Sequence, residues 1–78
     1  MITLSRTKSL QEEVRYHCLN EWKQCVFFKT DPQQAMTRCF GAVRFVLSVE
    51  PDEDESTESL GWWWDHEMHP MFRSIGAN

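Results

Sequence analysis

Apolar residues recur at helical intervals in three separate stretches of the chain. In the first, Leu10, Val14, Cys18, Trp22 and Cys25 follow at steps of four, four, four and three, which at 100° per residue places them on one face of an α-helix. The tetrapeptide Ser9-Leu10-Gln11-Glu12 precedes this stripe. Its serine hydroxyl can accept from the backbone N–H three residues on while the glutamate reaches back, a capping box that starts the helix; the pattern ends near Phe28. The second start signal is Asp31-Pro32-Gln33-Gln34, with an N-cap carboxylate and a proline at the first helical position, where no N–H is needed. Met36, Cys39, Phe40, Val43, Val46 and Leu47 then repeat at three and four. A helix from about Pro32 to Ser48 is expected, with Pro51 forbidding continuation. Only two or three residues separate the two helices, so they form an antiparallel hairpin. Its core consists of Met36, Phe40, Val43, Val46 and Leu47 packed on Val14, Cys18, Trp22 and Cys25. In that hairpin Cys39 falls opposite Glu21 and Trp22, and Gly41, which costs about 1 kcal/mol relative to alanine inside a helix, marks a close approach of the two helices.

The third stretch carries Leu60, Trp64 and Met68 at steps of four. Ser56 or Thr57 caps it, His69-Pro70 stops or kinks it, and Met71, Phe72 and Ile75 extend its apolar side in a short final turn before Gly76. The fold class is therefore all-α, an antiparallel helical hairpin plus a shorter Trp-rich third helix. One alternative competes: Val43, Phe45, Leu47 and Val49 also alternate, so residues 42–49 can be read as a strand, paired with residues 24–28 in a small α+β domain. The helix is preferred because the three-four spacing explains the whole segment and the alternation only its second half.

At 78 residues the chain makes one domain, 1–78, and a chain this short buries only about 60–65% of the surface that its unfolded form exposes. A partner or a second copy is expected to supply the rest. The longest apolar stretch, Ala42 to Val49, is broken by Arg44 and Ser48 and falls far below the roughly 20 residues that span a bilayer. The first six residues show no secretory signal, and three cysteines, an odd number, suit a reducing compartment rather than a disulfide framework. A cytoplasmic protein without a membrane contact is expected.

Charge is divided unevenly. Residues 1–49 hold seven bases and four acids, a net of +3, whereas residues 50–78 hold Arg73 against eight acids, a net of -7. Six of those acids crowd into Glu50–Glu58, EPDEDESTE, read as a solvated acidic loop or linker within the domain. Such a split suits a basic partner, or neutralisation of the hairpin by the tail. It disfavours nucleic acid, since the overall charge is -4 and the bases of the hairpin are interrupted by acids.

The candidate chemistry centres on Trp62-Trp63-Trp64. Three successive helical residues span about 200° of the circumference, so they cannot all face one small core. If Trp64 shares the stripe of Leu60 and Met68, then Trp62 or Trp63 projects sideways or outward, where a large aromatic is a typical anchor of an interface. Trp62 and Trp63, with Glu58, Asp65 and Glu67 as a charged rim, form the expected partner-binding surface. The expected function is a non-enzymatic protein-binding module, a regulator, adaptor or inhibitor. The alternative is a homodimer with the Trp-rich segment at its interface. A further alternative is a small metal-binding protein, because His66 and His69 stand one helical turn apart, a spacing that suits two zinc ligands; a third and fourth ligand are missing nearby, and no cofactor is expected. His17-Cys18 and Glu12-Glu13 are sequence neighbours that a helix points 100° apart, so neither makes a catalytic pair. Three glycines form no phosphate loop, and an enzyme is not expected.

Overall fold

The computed structural model describes residues 9–52 and 59–76. Helix α1 runs over Leu10–Phe28 and α2 over Pro32–Val49. A third helix, α3, covers residues 60–76 in three continuous segments: an α-helical turn Leu60–Trp63, a π-helical stretch Trp64–Met68 and an α-helix His69–Gly76. There is no strand among the described residues. The strand alternative for 42–49 is overturned, since that segment completes α2 and buries Val43 and Val46 at helical spacing.

Both ends facing the hairpin turn and the start of α1 follow local chemistry. Ser9 Oγ accepts from the Glu12 N–H at 3.2 Å while the Ser9 N–H donates to Glu12 Oε1 at 3.3 Å, which satisfies two donors that an uncapped helix start leaves orphaned. Asp31 Oδ1 accepts from the Gln33 N–H at 3.0 Å, and Pro32 at the first position loses nothing by lacking an N–H. Between the helices Lys29 adopts a left-handed conformation, φ 60°, and its N–H bonds the Cys25 carbonyl.

The core alternates small and large. Val14, Cys18 and Cys25 of α1 meet Ala35, Cys39, Val43 and Val46 of α2, while Leu60, Trp64, Met68 and Phe72 of α3 lie across them. Short side chains let α1 and α2 approach closely, and the four large residues of α3 fill the groove above their seam. Arg38 takes the Glu21 carboxylate, with Nη2 at 2.9 Å from Oε1, and Cys39, which also feels Glu21, meets Cys18. The Cys18 thiol, hydrogen-bonded to Cys39 and buried, is held far above its usual titration range, while the same bond pulls Cys39 below its own.

Leu60, Trp64, Met68 and Phe72 are spaced by four each time, and all four are buried. In a regular α-helix such a line drifts by 40° per step; the wider π turn, closed by the His69 N–H to the Trp64 carbonyl, counters the drift and keeps the row on the hairpin. The same widening corrects the expectation at His69-Pro70. An α-helical ladder would drive the Pro70 ring into the His66 carbonyl, but the extra residue sits directly before it, and the helix continues for two further turns.

The start of α3 differs as well. Ser59, not Ser56 or Thr57, is its cap, accepting from the Trp62 N–H at 3.2 Å; residues 53–58, with Ser56, Thr57 and Glu58, lie outside the described residues. The described part of the acidic run is more than a solvated linker. Asp52 takes the Leu60 and Gly61 N–H groups on its two oxygens at 3.2 and 3.0 Å. Glu50 serves α1, with Oε2 accepting from the Leu10 N–H at 3.3 Å and its carbonyl from Gln11 Nε2 at 2.7 Å. Both carboxylates sit at helix N-termini, where the backbone dipoles favour negative charge. Gly61 suits this cap, because a Cβ there would stand 3.2 Å from Asp52 Oδ2.

Gly41 has no such reason. A Cβ at Gly41 meets nothing within 4 Å, so the expected close helix approach lies elsewhere. Gly41→Ala should raise stability by about 0.5–1 kcal/mol, a gain of roughly 4–8 °C in Tm per kcal/mol for a domain of this size, measured by thermal circular dichroism; an unchanged or lower Tm contradicts this placement.

Candidate protein-binding surface

The three adjacent indoles go to three different places. Trp64 points inward, 3% exposed, with its ring 5.9 Å from Phe40 and 6.3 Å from Phe72, tilted against both. Trp63 is half-buried at the edge of the core, with the Arg15 guanidinium 5.5 Å from its ring centroid. Trp62 lies outside the core cluster and is half-buried. Its indole stacks on His66, centroids 4.6 Å apart and planes at 12°, and His66 Nδ1 donates to the Trp62 carbonyl at 3.1 Å. A fourth indole, Trp22, ties α1 to α3 through Nε1 to the Met71 carbonyl at 3.2 Å.

The sequence-derived site is thus divided. Trp62 is half-buried and Asp65 and Glu67 are exposed, with Asp65 on the side of α3 that faces α2. Trp63 turns toward α1 and is covered by Arg15, and Glu58 lies outside the described residues. His66 and His69 are not brought together as a ligand pair: His66 is committed to Trp62, while the His69 ring lies 5.9 Å from Trp64. No group of three or more His, Cys, Asp or Glu capable of holding a metal occurs among the described residues.

The sequence reading passed over a second apolar surface, on the hairpin. Tyr16, Leu19, Phe27, Phe28, Phe40, Phe45 and Val49 are exposed, and all belong to α1 or α2. Phe27, Phe28 and Phe45 are 73%, 74% and 64% exposed. Phe40, expected in the core, is 43% exposed, with Trp64 of α3 5.9 Å from its ring and the Arg44 guanidinium 5.6 Å away. A signal for these positions existed. At 100° per residue, Phe27 falls half a turn from Cys18, and Val49 half a turn from Phe40. Each is an apolar residue off the apolar stripe.

Between α2 and α3 a cavity of about 340 Å³ is lined by Met36, Thr37, Phe40, Trp64, Asp65 and His69. It adjoins a larger one, about 720 Å³, toward the hairpin turn that shares Met36 and His69.

Comparison with protein-family models, with curated proteins and with solved structures returns no match. Function therefore has to be read from the surface itself. No helix among the described residues is long and apolar enough to cross a membrane.

Proposed function

We propose that this chain is a non-enzymatic protein-binding module, a regulator, adaptor or inhibitor whose contact surface combines aromatic anchors with an acidic rim. The supporting observation is the aromatic surface left over once the core has closed. Phe27, Phe28 and Phe45 stand in solvent, and Trp62 lies outside the core with Asp65 and Glu67 beside it. Large rigid rings bury much apolar area for little lost side-chain freedom, which is why they dominate interface energetics. The net charge of -7 over residues 50–78 suits a partner with a basic surface, through faster and more selective encounter.

The test is capture of a defined protein from host lysate by the immobilised chain. Trp62→Ala combined with Glu67→Gln should weaken retention of that protein by roughly tenfold or more, since anchors cost about 1–2 kcal/mol or more when truncated. The far-ultraviolet circular dichroism should be unchanged. Phe45→Ser and Phe28→Ser, made separately, report whether the hairpin surface takes part. If all three variants retain every captured protein as the parent chain does, the reading fails.

A second reading, a homodimer, is favoured by one arrangement. Phe28, Phe45 and Val49 of the hairpin are all more than half exposed, apolar surface that a second copy could cover. A dimer through this surface would show a Tm that rises with protein concentration, whereas a concentration-independent melt of a 9.3 kDa species would exclude it.

A further inference from the structure

The cavity between α2 and α3 has a composition that selects its occupant. Its walls are aromatic and apolar: Phe40, with nearly half of its surface exposed, the edge of Trp64 and the Met36 side chain. Phe40 and His69 each stand 5.9 Å from Trp64, so three rings follow one another around the opening. The polar groups differ in what they can still accept. The Thr37 hydroxyl donates to the Gln33 carbonyl at 3.0 Å. Asp65 is exposed and makes no ion pair among the described residues.

The exposed Phe40 ring can offer a face whose negative electrostatic potential attracts cations, Asp65 adds a full negative charge, and the buried Trp64 supplies apolar wall. An apolar occupant would strip water from that carboxylate without replacing its hydrogen bonds, and an anion would be repelled. A volume of about 340 Å³ lies at the low end of ligand pockets, enough for one long side chain and too small for a helix. The fold itself shows the chemistry in use nearby: the Arg44 guanidinium sits 5.6 Å from the Phe40 centroid, and Arg15 sits over Trp63 in the same way.

We propose that the cleft between α2 and α3 is a receptor for an arginine side chain of a basic partner protein, with Asp65 pairing the guanidinium and the exposed part of the Phe40 ring stacking on it. The methylene stem lies along Met36 and Phe40, as long basic side chains do on apolar walls. Arginine is preferred to lysine because a planar guanidinium both stacks on a ring and pairs bidentately with a carboxylate. The inference rests on the reading of the chain as a protein-binding module and names the chemistry that its partner must supply.

Three probes test it with the full chain: hexa-arginine, hexa-lysine and hexa-glutamate peptides, titrated while the backbone and indole N–H resonances are followed by NMR. Hexa-arginine should give saturable shifts centred on Phe40, Trp64, Asp65 and His69. Hexa-lysine should bind several-fold more weakly, and hexa-glutamate should leave these resonances unmoved. Asp65→Asn should weaken hexa-arginine binding by about tenfold, the loss expected of one hydrogen-bonded charge pair. Arg44→Ala should tighten it by about two- to fivefold by freeing the Phe40 ring. Shifts that fail to saturate, that centre on the acidic run 50–58, or that survive Asp65→Asn unchanged would overturn the cleft proposal. Asp65→Asn is a surface change with no hydrogen bond or ion pair to lose among the described residues, so a loss of binding is not a loss of fold, which unchanged circular dichroism confirms. Because protein capture is scored separately through Trp62 and the hairpin phenylalanines, a chain that captures its partner but ignores hexa-arginine refutes the cleft alone.

Discussion

Phe72→Ala should leave the chain largely unfolded, or with a Tm lowered on the order of 20 °C. Phe72 is 1% exposed, touches Trp64 ring to ring, and is the last large side chain of the row that holds α3 to the hairpin. Truncating a buried phenylalanine costs about 3–5 kcal/mol in lost transfer energy and residual cavity. A chain of this size has only about 4–12 kcal/mol of stability to lose, at roughly 0.05–0.15 kcal/mol per residue. The loss is directional as well as large. The hairpin has its own seam of Val14, Cys18, Cys25, Ala35, Cys39, Val43 and Val46, whereas α3 is held by its side chains, its caps and the Trp22–Met71 hydrogen bond, so indole fluorescence should report the release of α3 at or before the loss of helical circular dichroism. A Tm shift under about 5 °C would mean that α3 is not part of the core.

Asp52→Ala should cost about 1–2 kcal/mol. The substitution removes both acceptors of the Leu60 and Gly61 N–H groups, and loss of an N-terminal cap falls in this range. Asp52→Asn keeps one carbonyl oxygen in place but gives up the second acceptor and the charge beside the helix dipole, so its cost should be intermediate. Urea titration separates these outcomes, with the midpoint falling in the order parent, Asn, Ala and the slope unchanged. Equal midpoints for all three would show that Ser59 alone starts α3.

Much of this architecture was legible because it is encoded within a few residues. The capping box at Ser9-Glu12 and the Asp31-Pro32 start each close a contact over two or three residues, and the three- and four-residue apolar steps fix which side of α1 and α2 is buried. The steps of four from Leu60 to Phe72 were legible too, but their consequence was not drawn: an unbroken row of fours asks for a turn wider than an α-helix, and Pro70 tolerates one. The expected arrest at His69-Pro70 weighed the ring clash alone.

The candidate surface was less legible. Helical geometry shows that Trp62, Trp63 and Trp64 cannot share one face, yet it assigns none of them a neighbour. Arg15 covers Trp63 from 48 positions away in the chain, and Phe40 flanks Trp64 from 24. Phe40 looked like core because its step fits the α2 stripe, but it stays 43% exposed, with Trp64 of α3 at its ring.

By itself, then, the order of residues determined where the helices run, how two of them begin, and that an indole triplet must divide. Where each indole went, which acids became caps rather than solvated charge, and which phenylalanines stayed in water were decided only when α3 docked. The physical reason is range: periodicity and capping act within one or two turns of backbone, whereas a ring's burial or an acid's partner depends on what another helix brings to it from tens of residues away.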